Sequence, residues 1–573
     1  MIDISVFKGE IPIVSSRLLP DGNASSAINC ELINGNLEPI RGNLKVADAQ
    51  ATTQTIWKMS EEWLEWGVPS VKIINDIVYN SSGRIFFCGD GYPKEADAVT
   101  SLSGSPPFPT VTRRLGIPPA TSALSYSITV AGTGAPKEVS YCYERVGQRY
   151  DNTVVRSAPA PATVTTTAKT DSQIKLTGFT DATEAGVYTT HYWIYRLEVG
   201  DNGEEFRFIA AIDKTAIPLE YTDILSQQSY ETLPDAIWSA PVDDIQGLII
   251  GSNGMVFGFN DNILYVSETF IPYTFPAEFS LSMPSEIVGL GFARTFIIVF
   301  TKTNPVLVYG DTPDRLSQEI ISVELPCKSA QSIVSVQGGV IFASALGLYL
   351  IDSGGNIINL TQNIFSPEQW SALPISSAFA FYYNGSYLCF FKGTDTAIEF
   401  KVGRNEIRRF NTSAYVWGGR YVSTVSNILV EFTSADYDEF ITADGYKMYF
   451  IGADNPITHD TLYLIQTSDA AREIVAWCVG EYVDYIWESK EVSVLRKHVL
   501  TAGRVTGDFT LGGVKIELKD ETGAIFFTKT ITAESVFRIP AKQISTLKVR
   551  LTGKAKIKRV LFGASLSEVI EGA

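Results

Sequence analysis

Histidine is scarce in this sequence, which holds three in 573 residues: His191, His459 and His498. Imidazole carries the proton transfer or the metal ligation in many hydrolases and metalloenzymes. The sequence also lacks the GxSxG nucleophile elbow and the HExxH metal motif. We therefore expect a protein that is not an enzyme, with no catalytic residue, no cofactor-binding residue, no metal ligand and no cofactor.

Closely spaced cysteines are also missing. The six cysteines form no CxxC pair and no zinc-knuckle spacing; they are Cys30, Cys88, Cys142, Cys327, Cys389 and Cys478. Each lies in or beside an apolar, strand-like run, where a free thiol packs as a small hydrophobic group. The pattern predicts reduced thiols in a protein made in a cytoplasm, in preference to a disulfide framework.

A signal peptide and a membrane span are absent as well. Residues 1–8 lack a basic start followed by a long apolar run, and no stretch approaches the roughly 20 apolar residues that cross a bilayer. We expect no membrane partner and no export by ordinary secretion.

Charge is sparse and negative. Charged residues make up 19% of the chain, below the roughly 25% of soluble proteins, and 46 Lys and Arg against 63 Asp and Glu give a net charge of −17. The low charged fraction argues against intrinsic disorder, the 45% of hydrophobic residues supplies material for packed cores, and the length predicts about three or four domains. An acidic chain is also poorly suited to bind DNA through its phosphates, because tight binding needs clustered cations.

Helical periodicity is nearly absent, and residues 60–64 and 367–372 could form only a turn or two of helix. Short runs rich in Val, Ile, Phe and Tyr dominate instead, at 245–250, 297–300, 340–343, 348–351 and 387–391. Gly, Asn or Asp lies close to most of these runs, as strands bounded by turns require. The fold class predicted is all-β.

A loose repeat runs through the middle of the chain. Turn-like positions at Asn253, Thr295, Gly338 and Asn384 each precede a strand-like run. A period of about 40 to 50 residues with several strands per unit is typical of β-propeller blades. The alternative is a series of unrelated hairpins that fall at even intervals.

Two further segments have a different character. Alternating strands at 139–143, 173–176, 192–195 and 206–209 predict an immunoglobulin- or fibronectin-like β-sandwich. We therefore expect a propeller interrupted by this sandwich: 1–115 is the N-terminal part of the propeller, 116–235 the insertion, 236–485 the rest of the propeller and 486–573 a β-rich closing domain.

The closing domain carries a cluster of basic residues: Lys529, Arg538, Lys542, Lys548, Arg550, Lys554, Lys556, Lys558 and Arg559. Because they alternate with apolar residues, we interpret them as a solvated sheet face. A nucleic-acid site is the alternative.

Three motifs point weakly to chemistry. Residues 132–137 (GTGAPK) lack the third glycine and the Ser or Thr of a phosphate loop and are interpreted as a hairpin turn. Residues 201–205 (DNGEE) could supply calcium ligands but are typical of a strand reversal. Glu61 and Glu62 beside Trp63 and Trp66 could form a sugar-cleaving pair, although aromatic residues here are expected in a core.

The order of these segments resembles the nozzle (tail tubular protein B-like) proteins of short-tailed bacteriophages. The similar residues are 7–12 (FKGEIP), 17–21 (RLLPD), 27–30 (AINC), 35–39 (GNLEP), 56–57 (IW), 63–66 (WLEW), 83–93 (GRIFFCGDGYP), 141–143 (YCY), 157–159 (SAP), 193–196 (WIYR), 221–223 (YTD), 245–248 (IQGL), 253–254 (NG), 537–540 (FRIP) and 559–565 (RVLFGAS).

The resemblance implies a structural protein of the virion tail, assembled in the host cytoplasm. Six copies would form a ring below the portal and adaptor, continue the DNA channel, and carry tail fibres or a plug. The partners implied are the other copies, the adaptor or head-to-tail connector, fibre or tail-tip proteins, and genomic DNA that passes through the lumen without specific binding.

A lumen that DNA must slide through should be acidic or neutral, and candidate acidic loops are Asp243 with Asp244 and residues 436–439 (DYDE). The alternative function is a tail protein that binds a host receptor or glycan. An enzyme on a propeller scaffold is a third hypothesis, disfavoured by the scarce histidine.

Overall fold

The computed structural model describes residues 1–573 except 33, 70, 78–82, 201–202, 226–232, 234–236, 412–413, 424–458, 469–470 and 572–573. The predicted fold class is confirmed: the chain is all-β, with propeller-type blades, a sandwich inserted between them and a β-rich C-terminal segment. The described α-helices are short, α1 (Pro367–Ser371) and α2 (Leu566–Glu571). Residues 60–64, by contrast, turn at Ser60, where φ is 54°, and enter a strand at Glu62.

The chain forms two compact units. The terminal unit is Met1–Ile56 with Thr361–Ala573, and the central unit is Trp57–Leu360. The domain boundaries near 115, 235 and 485 stay predictions. The terminal unit is held together by pairing between distant segments, since Ile28 pairs with Ile486 and Ala49 with Arg472. Local patterns do not reveal pairing over such separations.

The terminal unit begins with six short strands: β1 (Ile2–Ile4), β2 (Lys8–Glu10), β3 (Asn23–Ile28), β4 (Cys30–Glu31), β5 (Glu38–Pro39) and β6 (Leu44–Ala49). The chain then runs through β7 (Thr55–Met59) and the first strands of the central unit: β8 (Glu62–Trp66), β9 (Lys72–Asn75), β10 (Ile85–Cys88), β11 (Lys94–Ala96) and β12 (Arg113–Arg114). Strands β9 to β12 form a four-stranded antiparallel sheet in chain order. Strands β9 and β10 are neighbours in this sheet, and residues 78–82 between them lie outside the described residues.

The insertion has nine strands in the described residues: β13 (Ser125–Val130), β14 (Pro136–Val139), β15 (Tyr141–Gln148), β16 (Val154–Arg156), β17 (Thr166–Lys169), β18 (Gln173–Thr177), β19 (His191–Gly200), β20 (Gly203–Asp213) and β21 (Tyr221–Ile224). One sheet has the order β13-β18-β21 and another β16-β15-β19-β20, while β14 pairs with β17. Every second side chain of a strand lies on the same face of its sheet. Tyr141 and Tyr143 of the second sheet therefore pack together against Ile174 and Leu176 of the first.

Three more four-stranded sheets complete the central unit. Their strands are β22 (Gln246–Ile250), β23 (Val256–Asn260), β24 (Ile263–Val266), β25 (Leu281–Ser282), β26 (Ile287–Phe292), β27 (Phe296–Thr301), β28 (Val306–Tyr309), β29 (Ser317–Ile320), β30 (Val334–Val336), β31 (Gly339–Ser344), β32 (Gly347–Asp352) and β33 (Ile357–Asn359). Asn253, Thr295 and Gly338 each fall at the turn between the first two strands of a sheet. The repeat is therefore one of blades, and the series of unrelated hairpins is excluded here.

The blade before the insertion packs on the first blade after it. Phe86 and Leu115, from residues before the insertion, share one buried cluster with Leu248 and Val256, from residues after it. The chain thus leaves and re-enters the same packed region on either side of the sandwich.

The terminal unit resumes with thirteen strands: β34 (Ala378–Tyr383), β35 (Ser386–Phe391), β36 (Thr396–Lys401), β37 (Ile407–Asn411), β38 (Tyr415–Ser423), β39 (His459–Ser468), β40 (Ala471–Ala476), β41 (Tyr485–Ser489), β42 (Val492–Asp508), β43 (Val514–Lys519), β44 (Ile525–Ile531), β45 (Ser535–Gly553) and β46 (Lys556–Gly563). Strand β6 completes a sheet with β38, β39 and β40. A 13-stranded sheet joins β34–β37 to β1, β2, β3 and the C-terminal strands.

Candidate functional site at the junction of insertion and blades

Buried ion pairs join the insertion to the blade that precedes it. Arg149 follows β15, and its guanidinium donates to both carboxylate oxygens of Glu95 on β11, with Nε 3.0 and 3.2 Å from the two oxygens. The two side chains are 5% and 6% exposed. Burial is the largest single effect and acts to lower the pKa of Arg149, but the charge and hydrogen bonds of Glu95, together with the nearby Tyr273 and Asp76, leave the pKa raised. The bidentate contact holds the two elements together.

A second ionic group lies in the same junction. Arg84, which directly precedes β10, donates to Asp76 at 2.8 Å and to Asp151 of the insertion at 2.5 Å. Burial acts to raise the pKa of Asp151, yet hydrogen bonds from Thr153 and the charge of Arg84 lower it. Two carboxylates, one from the blade and one from the insertion, thus contact one buried guanidinium.

The interior of the sandwich holds further charged groups. Arg196 binds the buried Asp223 with distances of 2.8 and 2.9 Å, and Tyr141 donates to the same carboxylate at 2.7 Å. Burial and then the Asp223 charge raise the pKa of Tyr141. The group fixes β15, β19 and β21 to one another and leaves the Asp223 carboxylate fully engaged.

The cysteine thiols lie in environments that suppress their reactivity. All six cysteines are free, and burial raises the pKa of the Cys88 thiol to about 11 and those of Cys142, Cys327 and Cys389 to about 12. A protonated, buried thiol is a poor nucleophile. Across the described residues, no group of three or more His, Cys, Asp and Glu side chains is arranged to hold a metal ion.

The three histidines lie on separate strands. His191 begins β19 and its Nδ1 is 2.9 Å from the Thr190 hydroxyl, His459 begins β39 and His498 lies within β42. In the part of the chain that the structure describes, no helix is long and apolar enough to cross a membrane.

The weak chemical motifs have structural roles. The Asp171 carboxylate accepts hydrogen bonds from the backbone N–H groups of Thr133 and Gly134, at 2.8 and 2.7 Å, and so fills the place a phosphate would take. Trp66 is buried and packs edge-on against Phe87. Residues 201–202 of the possible calcium loop lie outside the described residues.

Glu61 and Glu62 lie exposed on a hairpin. Glu61 pairs with Lys58 at 3.3 Å, and both carboxylates are exposed on the hairpin of β7 and β8. A glycosidase acid needs a partly desolvated environment to raise its pKa, and this hairpin does not provide one.

Acidic partners neutralise much of the basic cluster. Lys542 pairs with Asp520 and Lys556 with Glu38, both at 2.6 Å, and Arg559 pairs with Asp3 at 2.8 Å. Lys548 and Arg550 approach Glu488 and Glu517 at 3.8 and 3.9 Å. The arrangement favours the solvated sheet face over a phosphate-binding patch, because paired cations release fewer counterions on binding DNA.

Only one of the two candidate acidic loops can be placed. Asp243 is paired with Arg114, and Asp244 is exposed beside it. Residues 436–439 lie outside the described residues.

The junction side chains were not anticipated from the sequence. Arg84, Glu95 and Arg149 lie on or beside short strands, and charged residues ordinarily face solvent. What identifies them is that a charge in the blade pairs with an opposite charge in the insertion. That pairing becomes visible only in the three-dimensional structure.

No family model matches the chain, and no curated protein matches it. Several solved structures match the chain at low identity and low TM-score. The WD40 domain of Pan2 from Neurospora crassa is 7% identical over 50% of this chain and 86% of its own length, with a TM-score of 0.25. PorZ of Porphyromonas gingivalis, a component of the type-IX secretion system, is 8% identical over 91% of this chain and 71% of its own length, with a TM-score of 0.26.

An exo-β-1,3-galactanase from Phanerochaete chrysosporium is 7% identical over 91% of this chain and all of its own length, with a TM-score of 0.18. Likeness at these levels carries no argument about what the chain binds or does.

Proposed function

We propose that this chain is a structural subunit of a bacteriophage tail nozzle. Copies of it form a ring that continues the DNA channel below the portal and adaptor and carries tail fibres or a plug. The observation that best supports this function is the junction, where buried pairs such as Arg149 with Glu95 fix a sandwich between propeller-type blades. A conduit subunit needs such rigidity and needs no catalytic group.

Charge supports the same function. The chain carries a net charge of −17, and cations of the C-terminal sheet such as Lys542 and Lys556 are engaged by carboxylates. DNA that slides past such a surface meets repulsion or weak attraction, which favours passage over retention. In this proposal genomic DNA is cargo in transit, and the stable partners are other copies of the chain, the adaptor, and fibre or tail-tip proteins.

The test is the architecture of the assembly. The purified full-length protein should form a six-fold ring with a lumen wide enough for duplex DNA, roughly 20 Å or more, when examined by native mass measurement and single-particle reconstruction. In the assembled virion the ring should lie in the tail, directly below the adaptor.

The opposing outcome is equally concrete. A trimer at the tail tip that binds cells or glycans through exposed aromatic side chains would contradict the nozzle and favour a receptor-binding protein. None of the nine tryptophans is among the exposed large hydrophobic residues, so a stacking platform for sugars would have to be built from other aromatic side chains.

A further inference from the structure

The first strand of the insertion is an exposed sheet edge. Strand β13 pairs with β18 on one side and is the terminal strand of its sheet in the described residues. All six of its residues are exposed. Tyr126 is 37% exposed, Ile128 44% and Val130 46%. An open edge of this kind offers backbone N–H and C=O groups to another strand.

The apolar side chains of β13 point toward the sandwich core and are still exposed. Tyr126 pairs with Leu176 and Ile128 with Ile174, and directly paired residues lie on the same face of a sheet. Leu176 and Ile174 are fully buried in the core cluster. The core of the sandwich is therefore open along this edge, and an added strand would cover it.

Other edge strands are protected in ways that β13 is not. The exposed edge strand β29 carries Glu319, and β44, at the edge of the C-terminal sheet, carries Lys529. The uncharged edge strands β22, β26 and β34 are largely buried or half-buried. Among the described edge strands of four residues or more, β13 alone combines complete exposure with the absence of charge. Charged edges block strand addition, and β13 lacks that protection; its one irregularity is a register shift against β18 between Ile128 and Val130.

The uncharged character extends beyond the strand. Between Ile117 and Pro136 the sequence contains no charged residue. Two copies that each carry a net charge of −17 repel one another over most of their surfaces. A second copy meets less repulsion at a stretch of chain that carries no charge, and residues 117–136, which include β13, form such a stretch.

The insertion also presents β13 away from the junction. In the described residues, the ion pairs with the preceding blade come from the loop between β15 and β16, through Arg149 and Asp151, and β15 and β16 belong to the other sheet of the sandwich. The junction and the β13 edge can therefore be occupied at the same time.

We propose that β13 is a subunit contact, at which a strand of a second copy of this chain adds to the insertion and covers Tyr126 and Ile128. Six residues of strand span about 20 Å, so β13 anchors a contact that neighbouring loops extend. The inference rests on the proposed ring, because it assigns one of the surfaces through which the ring closes.

The test compares the native mass of the full-length protein with that of Ile128→Lys, in which the added charge opposes strand addition and burial. The variant should lose assembly, with at least a tenfold rise in the dissociation constant, and should run as the 62.8 kDa chain at concentrations where the parent is assembled. A second variant, Ser127→Lys, places the charge on the opposite face of the strand and should have the same effect without altering the core-facing residues.

The matched control is Ile525→Lys. Ile525 lies on the edge strand β44 and is 50% exposed, and that strand already carries a lysine. The control should assemble as the parent does. Circular dichroism and thermal unfolding of all variants separate loss of assembly from loss of folding.

Hydrogen exchange gives a readout that needs no variant. The backbone amides of Ser125–Val130 should exchange more slowly in the assembled protein than in the dissociated chain. Equal exchange in both states would overturn the inference.

The outcomes for this inference and for the proposed function are distinguishable. If the parent and both β13 variants form the same six-fold ring, the nozzle stands and the β13 contact is wrong. If the parent forms a dimer that the variants abolish, the β13 contact stands and the ring is wrong. A parent that remains monomeric overturns both.

Discussion

At the scale of single residues, Arg149 has the clearest energetic role. Replacing it with methionine leaves the buried Glu95 carboxylate without its counterion. Loss of one partner from a buried pair typically costs about 3–5 kcal/mol, and we expect the free energy of unfolding of Arg149→Met to fall by about that amount in urea titrations. The double change Glu95→Leu with Arg149→Met should recover most of the loss, because no buried charge remains.

Arg207→Met is the matched control for Arg149→Met. Arg207 pairs with Glu205 at 3.4 Å, with the side chains 44% and 48% exposed. Exposed pairs contribute about 0–1 kcal/mol, so this variant should unfold almost as the parent does. Equal losses in the two variants would contradict the role assigned to the junction.

The hydrogen bonds to Asp171 predict that the stability of the turn at residues 132–134 depends on pH. Hydrogen bonds from the backbone N–H groups of Thr133 and then Gly134 lower its pKa to about 2, whereas an unfolded Asp titrates near about 3.9. A carboxyl with a lowered pKa stabilises the fold fully above the unfolded value, and the contribution is lost as the pH falls through the folded value. The turn should therefore be intact above pH about 4 and should loosen toward pH about 2.

The measurement for Asp171 is exchange of the Thr133 and Gly134 amides as a function of pH, relative to their intrinsic rates. Protection should fall between pH about 4 and about 2 in the parent. Asp171→Asn removes the titrating group, and its protection in this range should be independent of pH. A parallel loss in the variant would assign the effect to another group.

At the scale of elements, the packing of the blade before the insertion on the blade after it depends on Leu248. Its side chain is 0% exposed in β22 and shares a cluster with Phe86 of β10. Leu248→Ala should lower the free energy of unfolding by about 2–5 kcal/mol through lost burial and a residual cavity. Chemical denaturation measured by tryptophan fluorescence checks the value.

The exposed Leu346 serves as the control for Leu248. It is 61% exposed in the turn before β32, and Leu346→Ala should change the free energy of unfolding by no more than about 0.5 kcal/mol. A small effect at Leu248 would mean that the two blades do not depend on each other for stability.

Secondary-structure elements were also the features that could best be predicted from the sequence. The turn positions Asn253, Thr295, Gly338 and Asn384 each lie between the first two strands of a four-stranded meander, because turn residues and period-two runs are local properties. The turn of helix at residues 60–64 was not formed, since Glu62 to Trp66 pair as a strand with β7. Pairing with a neighbouring strand overrode a short local pattern.

The candidate site was much less predictable. Glu95 and Arg149 are 54 positions apart and belong to different elements. Their meeting depends on where the insertion seats on the blade, which no local pattern encodes. The pairing of β6 with β40 escaped prediction for the same reason.

At the scale of the whole molecule, charge predicts how the protein treats DNA. With a net charge of −17 and cations such as Lys556 engaged by carboxylates, the isolated protein should bind duplex DNA weakly, with strong sensitivity to salt, or undetectably at physiological ionic strength. Fluorescence anisotropy over a salt series checks this expectation.

Nanomolar DNA binding at physiological salt would contradict the conduit. The decisive variant replaces Lys554, Lys556 and Lys558 with glutamine. Tight binding by the parent that this variant abolishes would assign the protein a DNA-gripping role. The same triple change at Lys175, Lys214 and Lys302, three lysines of the central unit, serves as a charge-matched control.

The ionic junction also bears on how such a chain can be altered by recombination. Grafting the insertion alone onto another set of blades would bring Arg149 and Asp151 and leave behind Glu95 and Arg84. The graft would bury charges with no counterpart, at a cost of several kcal/mol for each. The sandwich can therefore be exchanged between related chains only together with the blade residues that pair with its charges. We expect recombination junctions between such chains to fall outside residues 76–151.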